Sequence, residues 1–440
     1  MREHLANVGW GVLDYAAYPI GMLLVAPIVL RNMGAAQYGI WSVATAAVSM
    51  GSIVAAGFGD ANIQHVASRR GMGRPDLLLR TVRCMISINL VLGTAVAILT
   101  WVFAPYVARH VVPSDAALQT GCLWSLRLAC ILIWLRTLES VCISTQRAFE
   151  RYGPAVRTSL IARLVSLVAA AALTYFTHNV AALLGAAVVA NVIGTSLQFV
   201  QLRRLLDAGS LTPILDRAAI KALLVFGVFS WMQALSGIVF SQADRLFLGL
   251  STGAVAVASY ALCTQMAQPI YGVAASGLHF LFPHLARSRV SRAPAELRRV
   301  VLTAFVGNLL MVAAAAVALG IFGQDILHVW AGKEIARRAF RVLPTIIVGS
   351  ALLGVNVTAT YSLYALGRVR VVTWLNLAGG VAMLLLMVYL APRFGAYGLA
   401  IARLSYGTIT LFLYVPLIRE LRGGHPAASV MAANPVCEEI

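Results

Sequence analysis

The sequence predicts an all-α polytopic membrane protein: twelve transmembrane helices in two six-helix lobes related by a pseudo-two-fold along the membrane normal. Three observations predict it. Apolar residues make up 60% of the 440-residue chain and charged residues 11%, against soluble norms of about 45–50% and 25%. The apolar residues gather in continuous runs about 20 residues long, the length a ~30 Å hydrocarbon core demands. Fragments of the first half recur in order in the second, at an offset of about 215 residues. So few charges cannot cover a soluble surface, and the same hydrophobicity excludes disorder. Long runs rather than short alternating segments exclude a β-barrel.

The first six runs lie at 10–30, 38–58, 84–103, 119–145, 159–176 and 180–200. The second six lie at 222–241, 254–282, 303–322, 342–364, 371–390 and 397–418. The first lacks an A-x-A cleavage site and reads as a retained span, not a signal peptide. The connections are short, and the longest is expected at 59–83. The lobes are expected at 1–208 and 209–422, with a small, Pro-containing 423–440 left as a disordered cytoplasmic tail.

Arginine placement sets the expected orientation. The formal charge is +18, and with the N-terminus inside, 22 Lys and Arg fall on cytoplasmic segments against 8 outside. That asymmetry puts both termini in the cytoplasm. The exception is 333–341, a basic outer segment expected to lie as an amphipathic helix on the membrane surface. The positive charge therefore orients spans, and no nucleic-acid-binding signature accompanies it. The six cysteines form no C-x-x-C pair or zinc spacing and read as packing residues. Cys437-Glu438-Glu439-Ile440 has an acidic interior unlike a prenylation box.

The repeat rests on three pairs. His65-Val66-Ala67-Ser68-Arg69 echoes His284-Leu285-Ala286-Arg287-Ser288. Gln146 to Gly153, entering the fifth run, echoes Tyr364 to Arg370, entering the eleventh. Arg31-Asn32-Met33-Gly34 echoes Arg245-Leu246-Phe247-Leu248-Gly249. Six spans per half is an even number, so both halves share one orientation, as in a two-lobed transporter whose site lies between lobes near mid-depth.

The N-terminal pattern is Asn7-Val8-Gly9-Trp10-Gly11, Leu30 to Gly34, Gln37-Tyr38-Gly39-Ile40-Trp41 and Gly57-Phe58-Gly59-Asp60. It resembles bacterial polysaccharide flippases, of the superfamily that also holds lipid II flippases and multidrug and toxin extruders. Ser241 to Gly249, Tyr260 and Leu281-Phe282-Pro283 are similar to the same family's second half. The resemblance implies translocation of an undecaprenyl-diphosphate-linked oligosaccharide for surface polysaccharide biosynthesis. Lipid II flippases usually carry two further helices, so the length favours the O-antigen or exopolysaccharide branch. A polysaccharide polymerase and glycosyltransferases would be its partners, beside membrane lipids.

Charged side chains inside the runs are the candidate site. Asp14, Arg127, Arg136, Glu139, Arg163 and Arg403 would each cost roughly 2.5–3.5 kcal/mol facing lipid at a span centre. Most must face a cavity or a partner. Arg136, Glu139 and Arg163 sit at similar depth on adjacent runs, either as an ion network bracing two helices or as part of an anion site. Arg127 has no sequence-local partner and is the best candidate to grip a diphosphate, which matches guanidinium geometry. Arg403 is similar but shallower, where snorkelling is the alternative. Asp14 and Glu139 are candidate coupling groups, since burial favours a protonated carboxyl. Polar stripes add Gln233, Gln268, Tyr271, Asn356 and Tyr364 as candidate lumen residues for a glycan; interhelical packing is the plainer use.

Neither a phosphate-binding G-x-x-x-x-G-K-[ST] loop nor G-x-S-x-G or H-E-x-x-H is present in the sequence. No enzyme activity and no cofactor are expected. The competing readings are an ion-coupled multidrug or toxin exporter, an integral-membrane glycosyltransferase, ligase or polymerase, and a non-transporting scaffold. An exporter of organic cations would want an acidic cavity. The second would want a catalytic outer loop, where Asp115 and Asp325 are isolated.

Overall fold

A computed structural model of the chain describes residues 2–56, 58–149, 151–217, 231–232, 242–278, 285 and 294–422, with side chains in the first helix at 17–52. The described residues form helices joined by short turns and one longer non-helical stretch at 206–216, with no strand among them. The elements are α1 (Arg2–Ala56), α2 (Gly59–Gly71), α3 (Pro75–Val111), α4 (Ala116–Ala148), α5 (Tyr152–Leu173) and α6 (Val180–Leu205). After a helical stretch at 242–252 come α7 (Ala254–Gly277), α8 (Pro294–Ala331), α9 (Lys333–Ala339), α10 (Val342–Ala365), α11 (Val369–Thr410), a 3-10 turn and α12 (Tyr414–Arg422). Among the described residues, seven helices are long and apolar enough to cross a membrane.

Two expected loops are replaced by bends. The first and second runs join in α1, broken only at Gly34 (φ 84°, ψ 169°). The eleventh and twelfth join in α11, broken at Gly395 (φ 55°, ψ −134°). Both glycines sit in φ space that a side chain disfavours, so one residue reverses the chain where a loop was expected. Gly253 shares the φ of 84°. The backbone counterpart of Gly34 is therefore Gly253, one turn beyond the Gly249 of the sequence match. The expected long connection at 59–83 also holds helix α2 and the start of α3. The seventh run lies almost wholly outside the described residues.

Caps explain several starts. The Asp115 carboxylate accepts from the backbone of Ala117 (2.9 Å) and Leu118 (3.0 Å) at the start of α4, and Asn179 accepts from Ala181 (2.9 Å) to start α6. Asp115 thus has a structural use. In α9, Arg337 and Arg338 both bond the Glu334 carboxylate at 2.7 and 3.0 Å. These guanidiniums hold its carboxyl below the usual range.

Asn32, Gln37, Val111, Thr174, Val180, Trp330 and Gly395 gather at one end, here the bend end; the chain starts at the other, the terminal end. Apolar packing differs between them. At the bend end one core joins first-half residues such as Val29, Val43 and Val111 to second-half residues such as Leu248, Val257 and Leu327. Toward the terminal end a separate core is built from first-half residues, including Val66, Val82, Cys142 and Leu202, with Leu211, Ile214 and Trp231 of the second half packed against it. The halves are thus fused at the bend end. Inside each half, buried amides tie helices together: Gln146 donates to Gln198 at 2.6 Å, and Asn308 to the Gly354 carbonyl at 2.8 Å. Such bonds replace hydrophobic pressure, which lipid does not supply between helices. The five described cysteines are buried and unbridged.

Candidate functional site

The candidate residues fall into separate places. In the first half, Arg136 lies a little over three turns before the end of α4, and Arg163 about three turns after the start of α5. Both are therefore about 17 Å from the terminal end. Arg136 lies within electrostatic reach of Arg163 and Glu139, its guanidinium carbon 5.9 Å from the ring centroid of Tyr18 of α1. Glu139 is buried. A cavity of about 30 Å³ opens beside Arg136, lined by Tyr18, Thr45, Ser49 and Ser166. That is room for a water or two, not for a glycan. Three of the predicted residues thus meet, inside one half rather than between halves.

In the second half, Arg403 of α11 is bonded to Asp244 at 2.7 Å, with the two side chains 13% and 1% exposed. Tyr260 of α7 donates to the same carboxylate oxygen at 2.9 Å. The other oxygen accepts the Arg245 backbone N–H at 2.8 Å. A buried charge so held is satisfied by geometry, not by ligand. Tyr271, Tyr364 and Arg403 each lie within electrostatic reach of Tyr406. Asn356 is buried, with its Oδ1 unpartnered, and Gln268 is exposed on α7.

Arg127 is in a third place. Its guanidinium lies 4.7 Å from the ring centroid of Trp101 and 5.1 Å from that of Trp124. Both indoles are about half exposed, and exposed Ile98, Val102 and Ile131 neighbour them along α3 and α4. Arg127 therefore sits on an aromatic-lined outer face, away from the other arginines. Asp14 and Gln233 fall outside the described side chains.

Sequence reasoning missed the contacts that join the halves. Arg31 donates to the carbonyls of Trp330 (3.2 Å) and Val329. Tyr38 donates to Gln265 of α7 at 3.2 Å, with both groups buried. A Cβ on Gly39 would overlap the Ala254 carbonyl oxygen. Tyr38 and Gly39 belong to the N-terminal pattern, but nothing local in it points to a partner in the other half. Tyr38→Phe should weaken bend-end closure by about 1 kcal/mol, the typical net worth of one hydrogen bond. The check is a small fall in melting temperature with the helical signal intact.

Three comparisons place this arrangement. A lipid II flippase, MurJ, in an inward closed conformation aligns with a TM-score of 0.74 at 14% identity, covering 93% of this chain and 88% of that one. An inward-facing MATE family multidrug resistance transporter of the MOP superfamily aligns at 0.72 and 14%, covering 94% and 98%. An outward-facing MATE structure aligns at 0.62 and 14%, covering 94% of each chain. The fold is that of these multi-pass membrane transporters. No curated protein matches. A family model described as polysaccharide biosynthesis protein matches residues 5–289. With more than half of its length matched, the chain belongs to that polysaccharide biosynthesis protein family.

Proposed function

We propose that the protein is a flippase that moves an undecaprenyl-diphosphate-linked oligosaccharide across the bacterial cytoplasmic membrane by alternating access. The observation that carries this reading is the family match over residues 5–289 on a fold shared with a lipid II flippase. Twelve spans in two six-helix lobes, both termini cytoplasmic, complete the architecture. The Gly34 and Gly253 reversals, one in each half, support the pseudo-two-fold. Among the described residues, the core that both halves share at the bend end supports a hollow that opens toward the terminal, cytoplasmic side.

The glycan path runs along the seam, with Gln268, Tyr271 and Tyr364 on the second-half wall. Behind the first-half wall, Arg136 and Arg163 raise the local potential where a diphosphate passes. Glu139, buried beside them, and Asp14, one turn before Tyr18, are the coupling candidates. Arg136→Gln/Arg163→Gln in a flippase-null strain should cut surface polysaccharide at least tenfold and leave lipid-linked oligosaccharide stalled on the inner face. Normal polysaccharide from a correctly inserted double variant would sink the headgroup role. The likeness to multidrug transporters keeps an exporter as the second reading. On that reading, deletion would change drug sensitivity and leave polysaccharide intact.

A further inference from the structure

At the terminal end of the first half, α4, α5 and α6 leave a pocket of about 290 Å³ lined by Gln146, Arg151, Pro154, Gln201, Arg204 and Leu205. It is remote from the Arg136 cavity and unused by the transport reading. Among the described residues its lining carries two guanidiniums and no carboxylate. Arg151 and Arg204 are exposed, and Arg151 stands at the N-cap of α5, whose first turn adds partial positive charge. The amides are held: Gln146 donates to Gln198 at 2.6 Å and Gln201 to Thr158 at 3.0 Å.

The level of the pocket identifies its occupant. Every lining residue lies within about four residues, or ~6 Å, of a helix end. On α5 the exposed Arg157 adds a further guanidinium one turn below Pro154, and beyond it the exposed side chains turn apolar: Leu197 and Val200 on α6, Ile161 and Val165 on α5. Leu197, Val200 and Arg204 follow the i, i+3, i+7 spacing of one helical face. Two neighbouring helices thus present an acyl-chain surface that ends in paired guanidiniums, at the depth where a headgroup phosphate sits.

We propose that this pocket binds the phosphate of an acidic membrane phospholipid, with an acyl chain lying along the α5–α6 face. Arg151 and Arg204 grip the phosphate oxygens, and Pro154 and Leu205 cover the glycerol. Basic pockets between spans at the cytoplasmic side suit such headgroups. The inference needs no particular transported substrate, and its test reads binding rather than transport.

The test uses the purified full-length protein with phosphatidylglycerol, phosphatidylcholine or inorganic phosphate. Phosphatidylglycerol should raise the melting temperature on the order of 5 °C at saturation, and phosphatidylcholine should not. Arg151→Gln/Arg204→Gln should bind phosphatidylglycerol at least tenfold more weakly, whereas Arg109→Gln, an exposed change at the bend end, should bind it normally. Three results overturn the proposal: an unchanged shift in the double variant, an equal shift from inorganic phosphate, or equal shifts from both lipids. Displacement of phosphatidylglycerol by a diphosphate-linked polyprenol would reassign the pocket to the transported substrate.

Discussion

Gly39→Val is expected to pry the halves apart at the bend end and to cut transport between tenfold and a hundredfold. A Cβ at residue 39 would fall on the Ala254 carbonyl oxygen. The obstacle is backbone, so no rotamer change relieves it. Overpacking of this kind typically costs about 1–3 kcal/mol, and the cost falls only on conformations in which α1 and α7 touch. Each step of about 1.4 kcal/mol moves such an equilibrium tenfold. Gly39→Ala carries the same Cβ without the branches and should fall between wild type and Gly39→Val. A Cys reporter at Gln265, buried against Tyr38 in the closed form, would read the opening as faster reaction with a membrane-impermeant thiol reagent. Wild-type labelling together with wild-type transport would mean that the Gly39–Ala254 contact does not gate the protein.

The same contact shows what a sequence can and cannot disclose. Helix existence is legible because a long unbroken apolar run has few other fates in a membrane. Depth is legible too. Arg136 and Arg163 flank one connection at nearly equal distances, so antiparallel packing has to bring them level. The bend at Gly34 is not, because Arg31, Asn32 and Gln37 look like a loop, whereas one residue in the left-handed region makes the reversal. Azimuth is the least legible. Arg127 has Trp124 at i−3, a signal present in the sequence, but Trp101 joins only through the rotation of α3 against α4. Asn356 falls on a lumen stripe by its spacing, and the structure buries it. Arg403 finds Asp244 in a distant part of the chain, through the placement of three helices. Periodicity gives a face; the partner of that face is a property of the tertiary fold.

Asp244 and Arg403 give the second large effect, and it should be non-additive. Asp244→Leu or Arg403→Leu alone leaves a buried charge unmatched, a loss of about 3–5 kcal/mol. Arg403→Leu also takes the charged donor from the oxygen shared with Tyr260 and leaves it the neutral hydroxyl. The double change Asp244→Leu/Arg403→Leu removes both charges, and stability should recover to within about 1–2 kcal/mol of wild type, because apolar replacement of a buried pair is often neutral. Tyr260→Phe, which deletes only the neutral donor, should cost about 1 kcal/mol. Thermal melts of the four variants, closed as a double-mutant cycle, measure the coupling. A double variant as unstable as the sum of the singles would mean that the pair is not the source of the stability. Transport by the double variant then separates bracing from recognition. If Arg403 only braces helices, a folded double variant should move substrate at near wild-type rate. If its guanidinium also meets the diphosphate, the double variant should fold and yet leave lipid-linked oligosaccharide on the inner face.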